Sequence, residues 1–189
     1  MAAFQDVDTK ALLQAVAHLA SLLQNNEPAE VFWSSFSDAL NTVFTHTSCT
    51  ILSYDPSTRI LTRIFSSRPD VHEIGGRKRV TDSFWTRTVL DNGQMLIGSD
   101  RADLKKLFSE YEALWAHGWE SVLNIPVRAN NGIVGSINLH NGAGAYDNVD
   151  PAFAAIFAQL AVAPILGWLG ASGVVAAAEI DDTSKLEFV

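Results

Sequence analysis

Apolar and polar positions recur along the chain with two periods. From about Asp8 to Asn25, Leu12, Val16, Leu19 and Leu23 return at helical spacing, and Ala11, Ala15 and Leu22 widen the stripe. Asp8 or Thr9 offers an oxygen to the free N–H groups at its start, and Asn25-Asn26-Glu27-Pro28 ends it. Pro28 suits the first turn of a second helix, where its missing N–H has no helical partner to lose. That helix carries Phe32, Phe36, Leu40 and Val43 on one face, with Trp33 beside them.

The period then falls to two. Ser48 to Tyr54 and Arg59 to Ser66 read as strands, joined by the turn Asp55-Pro56-Ser57-Thr58, in which Pro fixes φ and Asp bonds the backbone ahead. Strict alternation puts Ile60, Thr62, Ile64 and Ser66 on one face of the second strand, and Leu61, Arg63 and Phe65 on the other. Neither face is cleanly polar, so a partly buried sheet is expected. Ser66 to Thr81 reads as a loop of a length usually kept for function. Asp82 to Leu90 reads as a short helix, capped by Thr81 or Asp82 and stopped at Asn92-Gly93. Met95 to Gly98 is a short strand. Ser99 and Asp103 stand at capping-box spacing and open a helical stretch to about Leu114.

Ser121 to Arg128 and Gly132 to Asn141 are strands joined at Asn130-Asn131-Gly132, a hairpin signal because Asn-Gly tolerates positive φ. Gly142 to Tyr146 is a loop. Asp150-Pro151 is an N-cap followed by Pro, and the helix after it runs to about Gly170, with a kink expected at Pro164. Ala171 to Val189 is small, acidic and aperiodic and reads as a tail. The order ααββαβαββα, with strands joined by short turns, predicts an α+β fold: an antiparallel sheet with helices on one face and terminal helices that pack together.

Composition and charge narrow the function. The chain has 189 residues, 48% of them hydrophobic, enough for one domain with a real core. Its net charge of −8 argues against binding a nucleic-acid backbone or an anionic membrane. No basic region followed by an apolar run opens the chain, and no apolar run is expected to reach the length of a membrane span; Gln159 and Pro164 interrupt the longest, Pro151 to Gly170, which reads as a buried or dimer-facing helix. The single cysteine, Cys49, fits a reducing compartment, with the cytoplasm as the expected location, and reads as a small buried hydrophobe.

The segment Ser121-Val122-Leu123-Asn124-Ile125-Pro126-Val127, followed by Asn131-Gly132-Ile133-Val134-Gly135-Ser136-Ile137-Asn138-Leu139, closely resembles the C-terminal half of a GAF domain. The opening helices, the first hairpin and the helix after Asp150 match in order, over roughly Pro28 to Leu169. Arg63-Ile64-Phe65-Ser66-Ser67, Gly75-Gly76-Arg77-Lys78, Ser83-Phe84-Trp85 and Gly98-Ser99-Asp100 look like a group of small, stand-alone bacterial GAF proteins. The resemblance implies a GAF/PAS-like fold; taken with the elements above, one such domain is expected over residues 1–170, followed by an acidic tail over 171–189. The resemblance also implies a cytoplasmic sensory or ligand-binding module, often a homodimer through its terminal helices. It names no ligand, because one fold hosts many functions.

Between Arg59 and Arg87 stand seven basic residues (Arg59, Arg63, Arg68, Arg77, Lys78, Arg79, Arg87) against Asp70, Glu73 and Asp82, a window of +4 in an acidic chain. Arg63 and Arg77 would hold a small anion, with Gly75-Gly76 letting backbone N–H groups approach it; the alternative is a solvated loop paired with acidic neighbours. Trp85 and Trp119 would form an aromatic wall, or simply pack the core. Asn124, Asn138 and His140 would orient a ligand if they face the pocket; parity alone does not say which face that is. Ser66 and Ser67 would donate to a ligand or end the strand. Asp100 and Glu112 would read a ligand amine or pair with the basic loop, while helix capping is the plain reading of Asp100.

Catalytic patterns are not visible: there is no His-x-x-x-His pair, Gly-x-Ser-x-Gly elbow or phosphate loop. No metal or cofactor site is legible, and one cysteine does not supply the attacking and resolving set of the sulfoxide-reducing GAF group. The leading expectation is a binding module for a small anionic molecule that signals through a terminal-helix dimer. The alternative is a protein-interaction or dimerisation module with a degenerate pocket, and an enzyme comes third.

Overall fold

The computed structural model describes residues 8–130 and 132–172. Helix α1 (Thr9–Gln24) is capped by Asp8, whose carboxylate accepts from the N–H groups of Lys10 and Ala11. Helix α2 (Ala29–Phe44) follows, with Pro28 one position earlier than expected, at the cap, its carbonyl accepting from Phe32 N–H. Strands β1 (Ser48–Asp55) and β2 (Ile60–Ser66) form the first hairpin, where Asp55 accepts from Ser57 N–H and Thr58 Oγ1. The region read as a loop contains an edge strand, β3 (Arg77–Arg79). Its three charges hide it from a hydrophobicity pattern, yet charge is usual on an exposed edge.

The short helix is π-helical, Thr86–Asp91, with Trp85 at its N-cap position; the side chain that serves its first N–H is that of Ser83, whose Oγ accepts from Thr86 N–H, rather than Thr81 or Asp82. Strand β4 (Leu96–Gly98) leads to α3 (Arg101–Leu107) and α4 (Tyr111–Ala116), so the single stretch expected from Ser99 to Leu114 is broken at Phe108. Strands β5 (Ser121–Ala129) and β6 (Gly132–Asn141) form the second hairpin, with φ of +52° at Asn130 and Gly132 already paired with Ala129. Helix α5 (Pro151–Ser172) runs through Pro164 and takes in Ala171 and Ser172. The rest of the expected tail lies outside the described residues.

The strands form one antiparallel sheet of order β3-β2-β1-β6-β5-β4. One face carries Cys49, Ile51, Leu123, Ile125, Val127, Ile137 and Leu139 against the long helices α1, α2 and α5. Phe157 of α5 meets Phe36 and Phe44 of α2 edge-on at 5.7 and 5.9 Å, so the helices from opposite ends of the chain do pack together. The other face carries Leu52, Tyr54, Leu61 and Val122 under the π-helical turn, α3 and α4. The long helices thus share one face as expected, and shorter ones cover the second.

By length and composition α5 is apolar enough to cross a membrane, which corrects the expectation drawn from Gln159 and Pro164. In this fold Ala154, Phe157, Ala158, Ala161 and Ile165 of that helix are buried in the core. Gly135 of β6 makes close contact possible: a Cβ there would lie 2.2 Å from the Leu52 carbonyl oxygen and 3.0 Å from Ile165 Cδ1. Cys49 is fully buried as expected, and burial pushes its thiol up to about 12.

Phe157→Ala removes the ring that joins α5 to α2. It is expected to cost about 3–5 kcal/mol, read as a lower urea midpoint with an unchanged m-value.

Candidate functional site

The first hairpin does not alternate strictly. Ile51 pairs with Phe65 but Leu52 pairs with Arg63, so Ile64 is an extra residue in β2. Such a bulge moves every residue beyond it to the opposite face. Ser66 therefore opposes Thr50 and shares the face of Leu61 and Arg63, not that of Ile60 and Thr62. The registers extend this face across the sheet: Asn124, Asn138, Thr50 and Ser66 stand in one row, Val122, His140 and Ser48 in the next, and Ser136, Leu52 and Arg63 in a third. The question left open by parity is thereby answered: Asn124, Asn138 and His140 face away from α1, α2 and α5, on the side of Arg63.

These side chains are buried. Asn124 Nδ2 donates to Asn138 Oδ1 at 2.8 Å, and Asn138 Nδ2 lies 3.4 Å from Thr50 Oγ1. Above them, Trp119 stacks on His140 at 5.0 Å, and His72, from the segment after β2, lies 5.1 Å from Trp119 and 5.7 Å from His140. The His117 ring also lies 5.0 Å from Trp119. Both ring nitrogens of His140, together with Ser48 Oγ, Ser136 Oγ, Asn124 Oδ1 and Trp119 Nε1, are buried without a hydrogen-bond partner among the described residues. Each such atom costs of the order of 1–3 kcal/mol, and native folds keep few of them, often for function.

Arg63 is the most buried cation among the described residues. Its backbone N–H donates to Gly76 O and its carbonyl accepts from Gly75 N–H, so the Gly-Gly step continues the β2–β3 ladder. Gly75 needs no Cβ penalty at its φ of +90°. The guanidinium Nη1 donates to Glu73 O at 3.0 Å. Burial lowers the Arg63 pKa to about 10, while Glu110 and Glu73 oppose the shift, so the group stays charged at neutral pH. Burial pushes His140 down to about 3, with His72 and Arg63 adding to the effect. His72 falls to about 4 for the same first reason, with Arg63 next. At neutral pH the site holds one buried cation, offset by the carboxylates of Glu110 and Glu73, beside neutral imidazoles, hydroxyls and amides.

The structure thus brings together Arg63, Ser66, Trp119, Asn124, Asn138 and His140. The other candidates lie elsewhere. Ser66 Oγ itself accepts from Arg68 N–H, and Ser67 Oγ accepts from Cys49 N–H, both closing the strand end. Arg77 opposes Thr62, so it sits on the helix-bearing side of the sheet edge. Trp85 lines a separate cavity of about 30 Å³ with Leu61, Lys78, Leu107 and Phe108. Asp100 is the N-cap of α3, accepting from Asp103 N–H, and Glu112 is exposed, accepting from Tyr111 Oη. Arg68 and Arg87 form surface pairs with Asp70 and Asp82. Sequence reasoning missed Ser48, Thr50, His72 and Ser136. Ser48 and Thr50 alternate with Leu52, a visible signal, whereas nothing local marks His72.

His140 supplies a pH signature. Its native pKa lies below the unfolded value near 6.5, so the unfolded chain binds the extra proton first. Its contribution is intact above pH 6.5 and is lost as pH falls toward 3, with a slope of up to about 1.4 kcal/mol per pH unit. Denaturant titrations from pH 7 to 4 are expected to show this slope in the native chain and a shallower one in His140→Leu. The His140 ring carbons should show no protonation shift by NMR above pH 5.

A family model described as a GAF domain matches residues 25–163. No curated protein matches the chain. Among solved structures, the GAF domain of a phosphoenolpyruvate-protein phosphotransferase from Acinetobacter is 9% identical with a TM-score of 0.67, covering 86% of this chain and 97% of that one. The corresponding domain from Coxiella burnetii is 12% identical with a TM-score of 0.67, covering 89% and 99%. The phycoerythrobilin-bound GAF domain of a cyanobacterial phytochrome is 14% identical with a TM-score of 0.58, covering 86% and 99%. At these identities the likeness is one of fold. The fold, the order of its elements and the matched length agree: the chain belongs to the GAF domain family, whose domains commonly bind small ligands and mediate signalling.

Proposed function

We propose that this chain is a cytoplasmic sensor module that binds a small anionic molecule on the sheet face of Arg63, Asn124, Asn138 and His140. One observation carries the reading: a buried guanidinium lies among neutral polar side chains whose unpartnered atoms sit on the same face. A desolvated Arg fork recognises carboxylate or phosphate strongly, and Trp119 and His72 provide flat surfaces beside it. The segment from Ser67 to Gly76 forms the roof, so entry of a ligand displaces His72 from Trp119 and His140.

The second half of the proposal is a homodimer through α5. Between Pro151 and Ser172 the sequence has no charged residue, and Ile156 and Leu166 are 40% and 41% exposed. An apolar helix with an outer face of this kind matches a helix-on-helix contact with a second copy. The alternative, a dimerisation module with a degenerate pocket, draws on the same helix and on the ring cluster that fills the site.

Thermal-shift titrations with nucleotides, dicarboxylates and inorganic phosphate test the first half. A ligand at about a hundred times its Kd adds about 2.7 kcal/mol, roughly 5–10 °C in Tm for a chain of this size. Arg63→Gln is expected to abolish the shift; a shift by none of these anions, or an equal one in the variant, sinks the reading. Light scattering on the Ile156→Glu/Leu166→Glu variant tests the second half, with a fall from twice the chain mass to the chain mass expected.

A further inference from the structure

The imidazole of His72 is packed among rings. It lies 5.1 Å from the Trp119 ring at 32° and 5.7 Å from the His140 ring at 42°. Trp119 and His140 are themselves 5.0 Å apart at 26°. Each ring is thus within tilted-stacking distance of the other two, an arrangement that favours a flat occupant. As an occupant His72 answers little of what surrounds it. Its Nδ1 is buried without a hydrogen-bond partner among the described residues. In its presence both nitrogens of His140, Ser48 Oγ, Ser136 Oγ and Trp119 Nε1 are unpartnered in the same sense. Buried polar atoms left in this way mark a place where a better-matched group gains.

The turn that carries His72 is joined to the sheet at its two ends. Ser67 N–H bonds to Cys49 O, and Gly75 N–H bonds to Arg63 O. Between them, Val71 N–H and His72 N–H both bond back to Arg68 O, at 3.0 and 2.8 Å. These inner bonds stay within the turn, so it can swing while the strand ladders keep theirs. Arg63 borders it: Nη1 donates at 3.0 Å to the carbonyl of Glu73, the residue after His72. A group that takes the place of the ring therefore lies beside the guanidinium. A carboxylate on that group meets the N–H that the departing Glu73 carbonyl gives up. The place is the size of one ring, because Trp119 and His140 both touch its present occupant.

We propose that His72 is a built-in stand-in for the ligand, and that the ligand is a single-ring aryl carboxylate. Its ring takes the place of the imidazole on Trp119 and His140, and its carboxylate replaces the Glu73 carbonyl on Arg63. The inference rests on the anion reading above and narrows it to one chemical class. Because His72 must leave first, the native chain binds more weakly than the emptied site does, by the fraction of time that the place is vacant. Stacking separates aryl acids from aliphatic acids of equal charge.

Calorimetric titration of the full chain with benzoate, cyclohexanecarboxylate and benzamide tests it, since the second lacks the flat ring and the third the charge. Benzoate is expected to bind about tenfold or more tightly than either. His72→Ala is expected to tighten benzoate about tenfold, and Arg63→Gln to weaken it by about tenfold or more. In the native chain the His72 Hε1 proton should move toward the NMR position of an exposed histidine as benzoate saturates. His72→Ser repeats the first variant, and the native-chain titrations decide the ring and charge requirements should neither variant fold. Cyclohexanecarboxylate that binds as tightly as benzoate, with both lost in Arg63→Gln, overturns the ring assignment and leaves the anion reading standing. Benzamide that binds as tightly as benzoate, with neither affected by Arg63→Gln, overturns both. Benzoate binding that leaves the His72 proton in place, or that is no tighter in folded His72→Ala and His72→Ser, overturns the proposal. So does an absence of benzoate binding in the native chain and both variants, and the nucleotide and phosphate titrations then decide the anion reading by themselves.

Discussion

The extra residue at Ile64 decides what the two faces of the sheet can do. Strand β1 is paired on both edges, with β2 and with β6, and is buried on both faces along nearly its whole length. A strand so enclosed has no freedom to slip, since a shift of one residue would exchange its two apolar sets. The irregularity is therefore taken up by β2. Past it, Phe65 stays with Ile51 on the helix side, while Ser66 and Arg63 fall on the same side despite an odd spacing. The polar face and the apolar core are both products of that one insertion.

The polar face is held together by electrostatics of a particular kind. Arg63 keeps its charge because Glu110 and Glu73 offset its burial. The same charge disfavours protonation of His72 and His140, already disfavoured by burial. Three potential cations thus resolve into one, at a fixed position. Neutral imidazoles can accept or donate, hydroxyls can do both, and the guanidinium only donates. The set presents one fixed positive charge beside groups that can both donate and accept.

Much of the fold is legible in sequence because its signals are local. Asp8, the Asp55 turn, the second hairpin and Asp150-Pro151 each act on backbone groups a few residues away, and each stands where expected. The candidate site is legible only in part. Asn124, Asn138 and His140 are identifiable as residues on alternate strand positions, but their face depends on pairing with β1, more than 80 residues distant in the chain for the Asn138–Thr50 contact. Arg77 shows the opposite case: its neighbours in sequence look right, but the β2–β3 ladder turns it to the other side of the sheet from Arg63, while Trp85 lines a separate small cavity. His72 lies in a segment without periodicity, so only the tertiary fold brings it to Trp119.

Site and terminal helix are separated by a single strand thickness. Ser136 faces the site, and its neighbour Gly135 faces α5 with no side chain between the β6 backbone and Ile165. Close-packed interiors transmit displacement rather than absorb it. A movement of β6 that accommodates a ligand at Ser136 or His140 therefore meets Ile165 directly, and Phe157 passes it to Phe36 and Phe44 of α2. A bulkier residue at position 135 would cushion the contact but would strike the Leu52 carbonyl. The close approach that packs α5 onto the sheet is thus also the shortest mechanical route from the polar face to the exposed side of that helix.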